Sequence, residues 1–294
     1  MVLCILGYVS SPVALVGGFL FAYFFGHPFL TLNAKVVNWL LKIAVVGLGF
    51  GMNLAETFKA GKDGFILTVF SIAITLVLGY FIAKLLRMDC KSGHLISSGT
   101  AICGGSAIAA VAPVIKASEK DISISLGVVF LLNSIALIVF PPLGHFFELT
   151  QHQFGLWCAI AIHDTSSVVG AAYTFGDEAL KVATTVKLAR ALWIIPLTLL
   201  SVFLFKGKGK KIKIPYFILL FILAIVANSY LPISEMITEG ITDISKSLLV
   251  LTLFLIGAGL SLDKIKSAGL KPMILGVSLW VVISVASIWA IVSL

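Results

Sequence analysis

Ten long apolar runs, joined by short polar stretches, leave this chain few ways to fold. A helix needs roughly 20 apolar residues to cross a bilayer. The runs cover about 10–27, 36–52, 64–86, 93–117, 122–147, 154–176, 181–205, 214–231, 240–260 and 271–293. They are too long for strands, and a transmembrane barrel would alternate with a period of two. The expected fold is therefore an all-α membrane protein of about ten transmembrane helices, one polytopic domain over 1–294. Only 12% of the residues are charged, against about 25% in a soluble domain. Such a surface calls for lipid, and the expected location is a bacterial inner membrane. The first residues, MVLCILGYVSSPVALVGGF, carry no basic segment, so they read as the first span rather than a cleaved signal.

The net charge of +8 sits in short loops, where it orients a membrane protein rather than recruiting nucleic acid. Ten crossings place Lys59, Lys62, Lys116, Lys120, Lys181 and Lys246 on one side. The other side receives Lys35, Lys84, Arg87, Lys91, the Lys206–Lys213 loop, Lys264, Lys266 and Lys271, and should be cytoplasmic. Both termini then lie outside. Cys4, Cys90, Cys103 and Cys158 form no CxxC pair and no metal-ligand spacing, so neither a disulfide framework, a metal nor a cofactor is expected.

The chain also repeats itself. Gly49-Phe50-Gly51-Met52-Asn53-Leu54 resembles Gly257-Ala258-Gly259-Leu260-Ser261-Leu262, and Ala60-Gly61 meets Ala268-Gly269 at the same spacing. Five of thirteen positions are identical, and a Pro-bearing turn (Pro28, Pro232) precedes each copy. The copies end runs two and nine. An odd offset of seven runs turns one upside down relative to the other, an inverted-topology repeat of the kind secondary transporters use.

Three runs hold residues that lipid would not tolerate. Run four carries Gly99-Thr100-Ala101-Ile102-Cys103-Gly104-Gly105-Ser106 and then Pro113. Glycine and proline weaken a helix, so this span is expected to break near the midplane. A break exposes amides that attract anions, with Thr100 and Ser106 adding hydroxyls; the alternative is a small-residue packing face. Run six places His163-Asp164 near the midplane, where ionisable groups are costly and usually functional. Run seven places Lys187 and Arg190 on one helix face, an excess of positive charge suited to an anion. Asn133 in run five either completes the polar lining or makes an interhelical hydrogen bond. Removing Arg190 is expected to abolish anion binding and leave the fold intact. The sequence holds no HExxH, GxSxG or Walker loop, so no enzyme is expected. An intramembrane enzyme using Cys103 with His163 lacks an orienting third group, and a channel would have no need of the repeat.

GTAICGGSAIAAVAPVIKA, then HDTSSVVGAA, then the Lys187 and Arg190 helix, resemble in that order the YeiH-type sulfate-exporter family. The resemblance covers nearly the whole chain. Many members carry His-Glu where this chain has His163-Asp164, and many have a further N-terminal span. The family looks related to bile-acid symporters and cation–proton antiporters, with inverted repeats and crossing broken helices. The resemblance implies export of a small anion such as sulfate or an organic sulfonate or carboxylate. Thr100, Cys103, Gly104, Gly105, Ser106, Lys187 and Arg190 would then contact the substrate, and His163, Asp164 and Asn133 would couple or gate. Sodium- or proton-coupled uptake of an organic anion is the alternative. The expected partners are that anion, the lipid bilayer and a second copy in a homodimer.

Overall fold

In a computed structural model, residues 11–25, 30–205, 216–259 and 269–293 are described. Cys4, the Lys206–Lys213 loop, and Leu260 to Ala268 of the second repeat copy lie outside them. All the regular elements among the described residues are helical. They are α1 (Ser11–Phe25), α2 (Leu30–Leu48), α3 (Leu54–Leu85), α4 (Cys90–Ala101), α5 (Gly105–Val111), α6 (Glu119–Phe146) and α7 (Gln151–Ala161). Then follow α8 (Thr165–Phe175), α9 (Asp177–Ala191), α10 (Ile194–Leu204), α11 (Tyr216–Tyr230), α12 (Glu235–Ala258) and α13 (Leu270–Ser293). Among the described residues, five helical stretches are long and apolar enough to cross a membrane: Thr57–Leu85, Lys120–Phe146, Asp177–Leu204, Glu235–Ala258 and Leu270–Ser293.

Side chains turn the usual soluble arrangement outward. Phe21, Phe24, Phe25, Phe65, Phe70, Phe81, Phe203 and Trp289 are all more than half exposed. Patches of that extent on a monomer mark a surface that something apolar covers. Polar residues go the other way, with His163, Lys187, Arg190, Ser98 and Thr100 completely buried.

Runs four and six depart from the expected path. Lys91 Nζ, at the start of α4, donates to the Lys116 carbonyl at 2.8 Å. Ser92 Oγ donates to Asp121 at the start of α6, at 2.5 Å. The chain that enters at Lys91 therefore comes back to the face it left. Run six repeats the manoeuvre: Gln151 at the start of α7 accepts from the Glu178 amide at 3.0 Å. Each run is a helical hairpin rather than a crossing. The arms explain the stopping point: the 11 residues of α7 and of α8, and the 12 of α4, rise about 17–18 Å at 1.5 Å per residue, roughly half a bilayer core. Runs four and six thus become two re-entrant hairpins, and the expected crossing broken helices become hairpins that meet. Lys116 and Lys120 move to the Lys91 face, opposite Lys59, Lys62, Lys181 and Lys246.

The ends of the arms are capped as sequence chemistry would have it. Asp89 accepts from the Lys91 and Ser92 amides. Ser118 with Asp121, and Thr150 with Gln153, form reciprocal capping boxes that start α6 and α7. In the scaffold, α2 and α12 pack antiparallel. Asn33 near the start of α2 donates to the Leu255 carbonyl near the end of α12 at 2.8 Å. At the far end, a Cβ on Gly51 would lie 2.8 Å from Thr242 Oγ1. The first repeat copy, Gly49–Gly51, is a single 3-10 turn between α2 and the Asn53 cap of α3.

Candidate functional site where two hairpin tips meet

Each tip is made by a short stretch of non-helical backbone. In the first, Gly104 adopts φ +58°, ψ −118°, a conformation open to glycine and closed to residues with a Cβ. Its amide reaches back to the Gly99 carbonyl at 2.8 Å, which ends α4. In the second tip, Ile162 and Asp164 are extended. Asp164 caps α8 by accepting from the Ser167 amide at 3.2 Å, and the Ser166 hydroxyl also donates to it. The tips touch: a Cβ on Gly104 would sit 3.3 Å from the His163 carbonyl oxygen.

Two half-length helices ending inside a protein leave their last carbonyls without intrahelical partners. Lys187 and Arg190 on α9 supply those partners. Lys187 Nζ donates to Ile102 (3.0 Å), Ala159 (3.2 Å) and Ile162 (2.6 Å). Three donors are all an ammonium has, so its capacity is used. Arg190 Nε donates to Ala101 and Nη1 to Ile160, each at 2.9 Å, and Nη2 shares the Ala101 carbonyl. Both cations bridge the C-terminal ends of α4 and α7, where the helix dipole is negative. The partners of these cations are thus backbone carbonyls, in the role assigned to an anion by the sequence reading. That changes what Arg190→Ala should do: it uncaps two helices and destabilises the fold, rather than leaving it intact.

The remaining candidates cluster on the same point. Cys103 is buried between the tips, within electrostatic reach of Lys187, Asp164 and Arg190. Gly105 is half-buried and Ser106 is exposed. Asn133, on α6, accepts from the His163 amide at 2.9 Å, an amide the break would otherwise strand. That is the interhelical hydrogen bond of the two readings, although the Asn133 amide nitrogen stays buried without a partner. Thr100 Oγ1 and both ring nitrogens of His163 are likewise buried and unpartnered. A buried, unsatisfied polar group costs about 1–3 kcal/mol, so four such atoms at one place are maintained against stability.

Sequence reasoning missed two features. One is Thr184, an α9 residue 1% exposed whose hydroxyl has no partner. The other is a charged cavity of about 540 Å³ on the Lys181 face, lined by residues of α2, α9, α11 and α12. Its signal was present as Glu235, Glu239 and Asp243, four residues apart along one helix face.

Comparison with known proteins places these features in a lineage. A family model described as conserved hypothetical protein 698 matches residues 13–276. A UPF0324 membrane protein of Photobacterium profundum is 56% identical over 286 residues, covering 97% of this chain and 88% of that protein. A UPF0324 membrane protein of Bacteroides thetaiotaomicron is 53% identical over 283 residues (96% and 86%). One from Geobacter sulfurreducens is 43% identical over 291 residues (99% and 94%). No solved structure matches the chain.

Proposed function

We propose, for a chain that belongs to the family of conserved hypothetical protein 698, the UPF0324 membrane proteins, secondary transport of a small anion. The YeiH-type family named from the motifs is this same family. The relatives are membrane proteins by name, and a multi-pass helical membrane protein is what the apolar helices make of this chain. The observation that carries the transport reading is the meeting of two half-length hairpins, entered from opposite faces, around buried polar groups. Irregular backbone at such depth is tolerated where it is enclosed by protein or lines a cavity, and transporters put their substrate sites on it.

Charge supports an anion. Lys187 and Arg190 bring two basic side chains to the tips. Asp164 offsets one, and the C-terminal ends of α4 and α7 contribute about half a negative charge each. The N-terminal end of α8 is positive by the same rule, so the balance stays slightly positive before a substrate arrives. Thr100, Cys103, Gly104, Gly105 and Ser106 would form the substrate side of the tips. His163, with both ring nitrogens unpartnered, and Asp164 would gate or couple. Substrates in view are sulfate and organic sulfonates or carboxylates, moved outward across a bacterial inner membrane by a protein with no enzymatic activity, singly or as a homodimer. The antiparallel α2 and α12, at whose C-terminal ends the two repeat copies begin, support an inverted repeat. Sodium- or proton-coupled uptake remains the second reading, motivated by His163.

Counterflow in liposomes tests the proposal. Vesicles preloaded with sulfate, or with an organic sulfonate or carboxylate, should accumulate the labelled anion transiently and saturably, with no conductance. Absence of counterflow for every small anion, or an ohmic current, would sink it. An imposed sodium or proton gradient separates the coupled reading from exchange.

A further inference from the structure

We infer that a groove of about 600 Å³ between α3, α9 and α11 binds one acyl chain of a phospholipid whose phosphate rests against Lys62. This site lies apart from the hairpin tips and does not depend on the anion reading. Its rim is exposed and its floor is not. Phe58 (75%), Ile66 (63%) and Phe65 (55%) on α3 and Ile222 (43%) on α11 stand at the surface, while Leu188, Phe221 and Ile225 lie buried beneath them. Apolar surface therefore runs inward here, from the outside of the bundle to its core.

Water does not suit this groove. A trapped water needs about two to four polar partners. Thr57, Lys62 and Thr185 are the polar residues of the lining. The Thr57 hydroxyl donates to the Asn53 carbonyl at 2.8 Å, and the Thr185 hydroxyl oxygen is closed off from solvent. Leaving the groove empty is no better, because a lining without partner atoms forfeits its dispersion contacts. The occupant is therefore apolar, and inside a bilayer the apolar material at hand is acyl chain.

Length and charge say how the chain lies. From Leu54 to Ile66, both in the lining, α3 rises about 18 Å at 1.5 Å per residue, roughly half a bilayer core. The groove thus spans one leaflet, that of the Lys181 face. Lys62 lines it and is exposed. Lys59, also exposed, lines the adjoining cavity that shares Thr57 and Thr185. A lysine stem lies along apolar surface while its ammonium reaches headgroup level, where a phosphate oxygen accepts a charge-assisted hydrogen bond. Glu56 and Asp63 stand in the same turns of α3, so this stretch is formally neutral. It recognises a phosphate, without selecting anionic over zwitterionic headgroups.

Native mass spectrometry of the full-length protein tests the site, after extraction from vesicles of palmitoyl-oleoyl phosphatidylethanolamine and phosphatidylglycerol in equal parts. One phospholipid of either headgroup should stay on each chain through detergent washes that strip the rest. Ala189→Trp puts a ring into the groove from α9 and should cut the retained fraction about tenfold, since part of the acyl chain can no longer be buried. Ala189 is exposed, so the variant should fold; Ala189→Leu tests the same point with a smaller side chain. Lys62→Gln should lower retention several-fold. A photoreactive benzoylphenylalanine in place of Ile222 should give a product heavier by one phospholipid. Three results overturn the inference. They are the absence of a retained phospholipid, retention unchanged in both Ala189 variants, and a cross-link from position 222 to residues 1–10 or to a second chain in place of lipid.

Discussion

At the scale of single residues, Lys187 and Arg190 show how a correct placement can conceal a different job. Spacing put both cations on one buried helix face, and there they are. What spacing could not give was their partners, because carbonyls at the ends of α4 and α7 become available only once both runs stop halfway. Arg190→Ala should destabilise the protein by about 2–6 kcal/mol, two buried carbonyls at roughly 1–3 each, read as a lower unfolding temperature in detergent. Arg190→Lys should recover part of that, since an ammonium keeps the charge but lacks the planar fork that holds Ala101 through two N–H groups and Ile160 through a third. Unchanged stability in Arg190→Ala would mean that the carbonyls find other donors. Asn133→Leu should cost about 1–3 kcal/mol by stranding the His163 amide, measurable by the same unfolding. The cost would be absent if that amide were not held by Asn133.

At the scale of elements, the glycines of run four foretold a break, and the break is where they are. Its direction was not legible. A chain that pauses at the midplane can continue or turn back, and the choice is made by arm lengths and by contacts 25 residues apart, Lys91 to Lys116. Gly104 holds the turn. Gly104→Ala should cost roughly 1–3 kcal/mol for a Cβ in that region of backbone space, compounded by a 3.1 Å approach to Val129. Gly105→Ala meets the edge of an exposed Phe130 ring, which has room to turn away, and should be milder. Comparing the two unfolding temperatures isolates the backbone term; equal losses would remove Gly104 as the pivot.

At the scale of the whole molecule, the turned-back hairpins sharpen the charge asymmetry that the sequence displayed. Lys116 and Lys120 join Lys84, Arg87 and Lys91, leaving Lys59, Lys62, Lys181 and Lys246 on a face that also holds the cavity carboxylates. By the positive-inside rule the Lys91 face is expected to be cytoplasmic. On a background lacking the native cysteines, Lys120→Cys and Lys91→Cys should react with an impermeant maleimide only after the inner membrane is opened. Lys181→Cys should react in intact spheroplasts. Labelling of Lys120→Cys together with Lys181→Cys would restore ten crossings.

Two hairpins that each reach only halfway also set where an electrical potential can act. Solvent that followed both arms inward would leave a septum little thicker than the contact between Gly104 and His163. The membrane voltage would then drop across that septum instead of across the full bilayer. Moving one charge through the whole potential is worth about 2.3 kcal/mol per 100 mV, so nearly all of that energy would be exchanged in the single step past the tips. A divalent anion would feel it twice over. Voltage would then bear on the conformational step that carries substrate across the septum, and very little on its approach from either face.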